Sequence, residues 1–216
     1  IPFTSRADSL SGAVAVLEIS SFQLESTDKF APAFAVCLNV TPDHIERHRT
    51  FEEYARLKAR IFENQKKDDY AILNYDDPCT RSMSVHINSN VFYFSLAHKV
   101  RGAYCKDGAI YFSDGIKDDR VMDRADVGIA GDHNLSNVLA AVAVAKLYGV
   151  KSDKIAAAVR GFRPPKYRIE LIKQSDSLKI FNDSKATNID STIKACEAMD
   201  GDTALIMGGW DKKIGY

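Results

Sequence analysis

Apolar residues fall along this chain in short unbroken runs set between charged, helix-patterned stretches. Residues 13–19 (AVAVLEI) and 34–40 (FAVCLNV) lack polar alternation, the pattern of strands covered on both faces in a parallel sheet. Between them residues 20–30 read as helical, and two more strands are expected at 70–74 (YAILN) and 91–95 (VFYFS). Strand, helix and strand in this order predict an α/β fold. From 100 to 128 the pattern changes to short alternating pieces with Gly at 102, 108, 115 and 128, which suggests hairpins at a sheet edge. An alanine-rich helix is predicted over 131–150, stopped by Gly149, and a second over 152–160, capped by Ser152 or Asp153. Residues 161–166 (GFRPPK) hold the only Pro-Pro and read as a linker, which places a domain boundary near 164 and divides the chain into 1–164 and 165–216. Beyond it the pattern predicts strands at 168–173 and 178–182, a helix reaching about 199, and a strand at 203–207.

The helix over 51–62 holds one residue that does not suit its place. At 100° per residue Phe51, Tyr54, Ala55, Ile61 and Phe62 form one stripe, with Glu52, Arg56, Arg60 and Glu63 opposite, and Lys58 falls inside the stripe. Thr50 with Glu53 three residues later predicts a capping box at its start. A buried ammonium must be paired, neutral or chemically changed, unless its stem snorkels and brings the head to water. Upstream, Asp43 and His44 leave the end of the second strand through Thr41 and Pro42, where a lysine on the following helix can meet them.

Composition narrows the function. Lys and Arg number 29, as do Asp and Glu, so the zero net charge carries no polyanion-binding signature for nucleic acid. No apolar run approaches a bilayer span. Cysteines at 37, 79, 105 and 196 have no C-x-x-C spacing, which suits reduced thiols in a cytoplasmic protein. The chain opens Ile-Pro-Phe-Thr and stops shortly after TALIMGG, so both ends read as cut.

Three constellations can carry chemistry. Ligands of open α/β sheets bind outside the carboxyl ends of the strands, where Glu18, Asp43 and His44 are expected. Such donors can hold Mg²⁺ or Mn²⁺ beside substrate phosphates, or can simply bond backbone. His44 and His48 are four apart, but Pro42 and the charged loop argue against a zinc pair on one helical face. Asn134 and Asn137 share a face at the start of the long helix; Asn134 reads first as an N-cap, whereas the Asn137 amide can read an adenine edge. Residues 182–188 (NDSKATN) join a strand to a helix, either as an ordinary capping turn or as an anion site built on helix amides and Lys185. A phosphate loop of the type G-x-x-x-x-G-K-S/T is absent from the sequence.

Six blocks together resemble one family. LEISSFQLE at 17–25, NVTPDH at 39–44, TFEEYARLKARIFEN at 50–64, GDHNLSN at 131–137, NDSKATN at 182–188 and GGWDK at 208–212 look like the Mur ligases, in the branch that adds D-glutamate. SSFQLE separates that branch from the sister ligases and from folylpolyglutamate synthetase. The resemblance implies a central ATPase-type domain with a mostly parallel sheet, lacking its first strand and phosphate loop, followed by the start of a Rossmann-like C-terminal domain. It implies a cytoplasmic, monomeric enzyme that uses ATP and Mg²⁺ to join UDP-N-acetylmuramoyl-L-alanine to D-glutamate through an acyl phosphate. By the same resemblance Glu18, His44 and a carbamylated Lys58 hold magnesium, and Asn134, Asn137, Arg168 and Asp183 hold the nucleotide. Lys185, Thr187 and Lys212 lie near the phosphate and the incoming D-glutamate, and Ser20, Ser21 and Gln23 on the substrate-facing wall. Tyr167 departs from the histidine frequent before the arginine. Two other readings stay open: a catalytically inactive nucleotide-binding fragment, and another ligase of the Mur and folylpolyglutamate synthetase superfamily.

Overall fold

The computed structural model describes residues 12–42, 45–129 and 131–209. Its centre is a six-stranded sheet in the order β1 (Phe34–Cys37), β2 (Tyr70–Asn74), β3 (Asn90–Ser95), β4 (Gly102–Lys106), β5 (Ala109–Ser113) and β6 (Asp118–Asp123). β1 to β4 pair in parallel and β4 to β6 form an antiparallel meander, so the expected α/β sheet with edge hairpins is what folds. Strand alternation sends Ile72 to one face of β2 and its neighbours Ala71 and Leu73 to the other, and both faces are buried. On the Ile72 side lie α5 (Asp132–Leu147) and α6 (Ser152–Gly161); on the other lie α3 (Phe51–Ala59) and α4 (Pro78–Met83). α5 buries Leu135, Val138, Leu139, Ala140, Val142 and Ala143, a stripe wide enough to seat it on the sheet.

Parallel neighbours usually need a long crossover, yet β3 and β4 are joined by the six residues 96–101. Gly102 permits this. Its φ is +133° and a Cβ there would lie 1.8 Å from the Tyr93 carbonyl oxygen, so no side chain fits the crossing.

Several expectations are corrected. Residues 13–19 form no strand and are mostly exposed, and residues 203–207 likewise are unpaired and exposed. An apolar run becomes a strand only where a ladder partner receives its backbone groups, and among the described residues β1 is an edge strand with β2 as its partner. The helix foreseen over 20–30 shrinks to α1 (Ser21–Glu25). α2 (Ile45–His48) precedes α3. Only half of the capping box at α3 forms: Thr50 Oγ1 accepts from the Glu53 N–H at 3.1 Å, while the Thr50 N–H donates to the His48 carbonyl at 2.8 Å. α6 is preceded by Lys151 with no side-chain cap, because Ser152 Oγ donates instead to Asp119 at 2.8 Å. β7 (Glu170–Gln174) and β8 (Lys179–Asn182) pair as a separate antiparallel hairpin, and α7 (Ile189–Glu197) starts from an Asn188 capping box.

Candidate functional site

A cleft of about 450 Å³ lies between residues 18–23 and α3, lined by Glu18, Ile19, Ser20, Ser21, Phe22, Gln23, Tyr54 and Lys58. Glu18 and Lys58, far apart in sequence, therefore share one opening. Lys58 is half-buried rather than buried, and its ammonium sits 5.2 Å from the Tyr54 ring centroid, a cation–π contact that compensates partial desolvation. Its charge also reaches the Cys37 thiol, which burial pushes up to about 12 against that influence.

The wall opposite Lys58 is shaped by its own hydrogen bonds. Ser20 and Gln23 form a reciprocal capping box at the start of α1, so both line the cleft with polar atoms already engaged with each other. Ser21 is buried and its Oγ lies 3.0 Å from His48 Nε2. The His48 ring packs between Phe22 and Tyr54, with centroids 5.2 and 5.4 Å away. Its Nδ1 is buried with no hydrogen-bond partner among the described residues. Sequence reasoning weighed His48 only as half of a zinc pair; its support of the cleft floor depends on contacts 27 residues away in the chain.

A second cluster gathers where α5 begins. Gly131, not Asn134, occupies the N-cap position, and Asn134 stands inside the first turn with its N–H donating to the Gly131 carbonyl at 3.1 Å. Asn137 is exposed one turn later. Burial holds the His133 imidazole below its usual range, against the opposing influence of the Asp183 carboxylate. The end of α7 also reaches the start of α5, where a Cβ at Gly131 would sit 3.0 Å from the Ala198 Cβ.

Arg168 is exposed between two residues in the left-handed region, Tyr167 at φ +67° and Ile169 at φ +47°. Such values strain a bulky or β-branched residue, so neighbouring groups must hold them. Glu170 Oε2 accepts from the Tyr167 N–H at 2.9 Å, Asp183 Oδ1 accepts from the Ile169 N–H at 3.1 Å, and the Lys185 N–H donates to the Tyr167 carbonyl at 3.1 Å. The backbone on either side of Arg168 is thus tied to Asp183 and Lys185 in the turn after β8. Thr187 is exposed beside it. Asp43, His44 and Lys212 lie outside the described residues.

The Mur ligase middle domain model matches residues 4–145. The chain belongs to the Mur ligase middle-domain family. It is 46% identical over 198 residues to the UDP-N-acetylmuramoylalanine--D-glutamate ligase of Thermoanaerobacter sp. (strain X514), covering 91% of this chain and 44% of that protein. The chain thus spans less than half the length of that curated relative. Among solved structures it resembles MurF from Acinetobacter baumannii at 20% identity and TM-score 0.64, covering 77% of this chain and 37% of that one. It also resembles MurF from Thermotoga maritima in complex with ADP at 19% identity and TM-score 0.58, covering 78% and 39%. At these identities the two MurF structures speak for the fold.

Within a Mur ligase middle domain the cleft can be tested for a hard divalent cation. Among the described residues no group of three His, Cys, Asp or Glu side chains is placed to hold a metal. The cleft offers the Glu18 carboxylate and the Lys58 amine. Magnesium takes oxygen donors, so Glu18 fits as it stands and Lys58 fits only if its nitrogen carries a carboxylate. Sequence reasoning also missed Arg60. Placed on the solvated face by periodicity, it is half-buried, and its guanidinium donates to backbone carbonyls of α1 and of the segment after it.

Proposed function

We propose that this chain is the ATP-binding core of a longer cytoplasmic ligase of peptidoglycan precursor synthesis, which adds D-glutamate to UDP-N-acetylmuramoyl-L-alanine. The observation carrying this reading is the 46% identity, over 91% of the chain, to a relative bearing that name. The middle domain would occupy 1–164, and 165–216 would begin the domain that receives D-glutamate. The ADP complex of the Thermotoga maritima relative supports an adenine nucleotide as ligand. In the reaction, the L-alanyl carboxylate attacks the γ-phosphorus and ADP leaves. The D-glutamate amine then attacks the acyl carbon, loses a proton and expels phosphate, leaving an amide.

The two clusters divide this work. Asn134 and Asn137 on α5, with Arg168 and Asp183, would bind adenine, phosphates and ribose, while Lys185, Thr187 and Lys212 would face phosphate and the D-glutamate carboxylates. Magnesium would supply charge neutralisation on the transferring phosphoryl group, with Glu18, His44 and carbamylated Lys58 as its holders. Carbamylation joins the lysine nitrogen to CO₂ with loss of a proton. The committed side chains of Ser20, Ser21 and Gln23 give the substrate wall a fixed shape. The test is phosphate release by a protein of the relatives' full length. It should require UDP-N-acetylmuramoyl-L-alanine, D-glutamate and ATP together. Release that ignores D-glutamate and follows another amino acid would reassign the chain to a different ligase. The isolated 216-residue chain should bind nucleotide weakly and show no turnover.

A further inference from the structure

α1 forms one wall of the cleft, yet its five residues are too few to hold helical shape or position by themselves. Its last turn carries no basic residue, and of its side chains only Ser21 and Leu24 are buried. From α2, His48 holds Ser21 at 3.0 Å and Arg47 donates to the Glu25 carboxylate at 2.8 Å; the backbone carbonyls at the end of α1 are held from α3 and the turn after it. Arg60 Nη1 donates to the Leu24 and Glu25 carbonyls, both at 2.9 Å, and Nη2 donates to the Thr27 carbonyl at 2.7 Å. Glu63 orients the group by accepting from Nε at 2.9 Å. One planar cation thus meets three carbonyls at the open end of a short helix, where positive charge complements the dipole. Asn64 and Gln65 continue the contact, donating to the Asp28 carbonyl at 2.7 Å and the Pro32 carbonyl at 2.9 Å. Lys58 lies two positions before Arg60, so the element that brings the lysine to the cleft also grips the facing wall.

We propose that Arg60 is a positioning residue that sets the separation between the wall at residues 20–23 and Lys58, and thereby the fit of the UDP-linked carboxylate substrate. The substrate clause rests on the ligase reading above; the clamp itself rests on the hydrogen bonds alone. The nucleotide cluster on α5 and residues 167–188 lies outside this grip, so the effect should be selective.

The test compares wild type, Arg60→Lys and Arg60→Ala at the full length of the relatives. Amide exchange at residues 23–27, the thermal midpoint and a separate KM for each substrate are measured. Lysine keeps the charge but not the three-carbonyl fork. In Arg60→Lys the α1 amides should therefore exchange roughly tenfold faster and the KM for UDP-N-acetylmuramoyl-L-alanine should rise roughly tenfold, about what one lost charge-assisted bond causes. The KM for ATP should hold within about twofold. Unchanged exchange overturns the clamp. Faster exchange with equal losses for all three substrates makes Arg60 merely structural and overturns the positioning role. A folded wild type that turns over none of them overturns the ligase reading and the substrate clause with it, while exchange still decides the clamp. If Arg60→Ala fails to fold, Arg60→Lys gives every readout.

Discussion

His48 Nε2 and Ser21 Oγ meet at 3.0 Å beneath the cleft, two buried polar groups each dependent on the other. His48 Nδ1 has no partner among the described residues, so removing Ser21 Oγ would leave the ring without a bond to any of them. Ser21→Ala and His48→Phe should each destabilise the chain by about 1–3 kcal/mol, the cost of stranding a buried polar group. The double variant should cost far less than the sum, because phenylalanine keeps the stacking on Phe22 and Tyr54 and no group is then orphaned. Denaturant unfolding of the four proteins measures this, and additive losses would mean that the bond contributes little.

Lys58 shares the cleft with Glu18, and the two explanations of its place in the apolar stripe predict different rescues. If it carries the carbamate of the ligase reading, Lys58→Ala in a protein of the relatives' full length should fold normally and lose turnover, and added bicarbonate or short carboxylates should restore part of it. Lys58→Glu, shorter than carbamylated lysine, should recover poorly. If the residue only covers Tyr54, the alanine variant should have a lowered thermal midpoint and no response to added acid. Midpoint and rescue measured on the same preparation separate the two.

What was legible in the sequence was local. YAILN reads as a strand from its short apolar run closed by a turn and folds as β2, and the Thr50 hydroxyl three residues before Glu53 starts α3 as its spacing says. What was not legible depends on distant partners. Residues 13–19 look like a buried strand, but Val16 is 93% exposed and no strand among the described residues pairs with it. Periodicity puts Arg60 opposite the apolar stripe, whereas its partners are carbonyls 33 to 36 residues away that no spacing rule reveals. Asn134 looked like a cap because its residue type is a good one; Gly131, with φ at +89°, starts the helix three residues earlier. Of the candidate site, Glu18 and Lys58 line one cleft although residues 13–19 form no strand, while the Arg168 turn shows its strain only in dihedral angles.

Acid should loosen the far edge of the sheet through Asp119. Hydrogen bonds from Lys146, and then from Ser152, hold its carboxyl below the ordinary 3.8. These bonds join β6 to α5 and α6, with Lys146 Nζ 2.5 Å and Ser152 Oγ 2.8 Å from Oδ2. Because the folded value is depressed, the unfolded chain takes up this proton first. The stabilisation is complete above the unfolded value and is lost as pH falls through the folded one. The stability difference between wild type and Asp119→Asn should therefore shrink as pH drops below about 4. Urea unfolding at stepped pH checks it, and a constant difference would mean that the ion pair does not titrate in that window.

Asp183 has two tasks that substitution can separate. Its Oδ1 accepts the Ile169 N–H at 3.1 Å and so helps to hold a β-branched residue at φ +47° beside Arg168, while the ligase reading also assigns the carboxylate to the ribose of the nucleotide. An amide oxygen can still accept from Ile169 but binds a ribose hydroxyl more weakly than a carboxylate does. Asp183→Asn should therefore keep the fold near wild type and weaken nucleotide binding several-fold. Asp183→Ala removes the acceptor as well, leaving the strained turn without one of its anchors, and should cost an additional 1–2 kcal/mol or so of stability. Adding Ile169→Gly to the alanine variant should recover part of that loss, since glycine adopts positive φ without penalty, and should recover none of the nucleotide affinity. Calorimetric titration with ATP alongside unfolding of the three variants gives both quantities. Undiminished binding in Asp183→Asn would remove the residue from the ribose site, and a stability loss in Asp183→Ala that Ile169→Gly leaves untouched would mean that strain at Ile169 is not what Asp183 restrains.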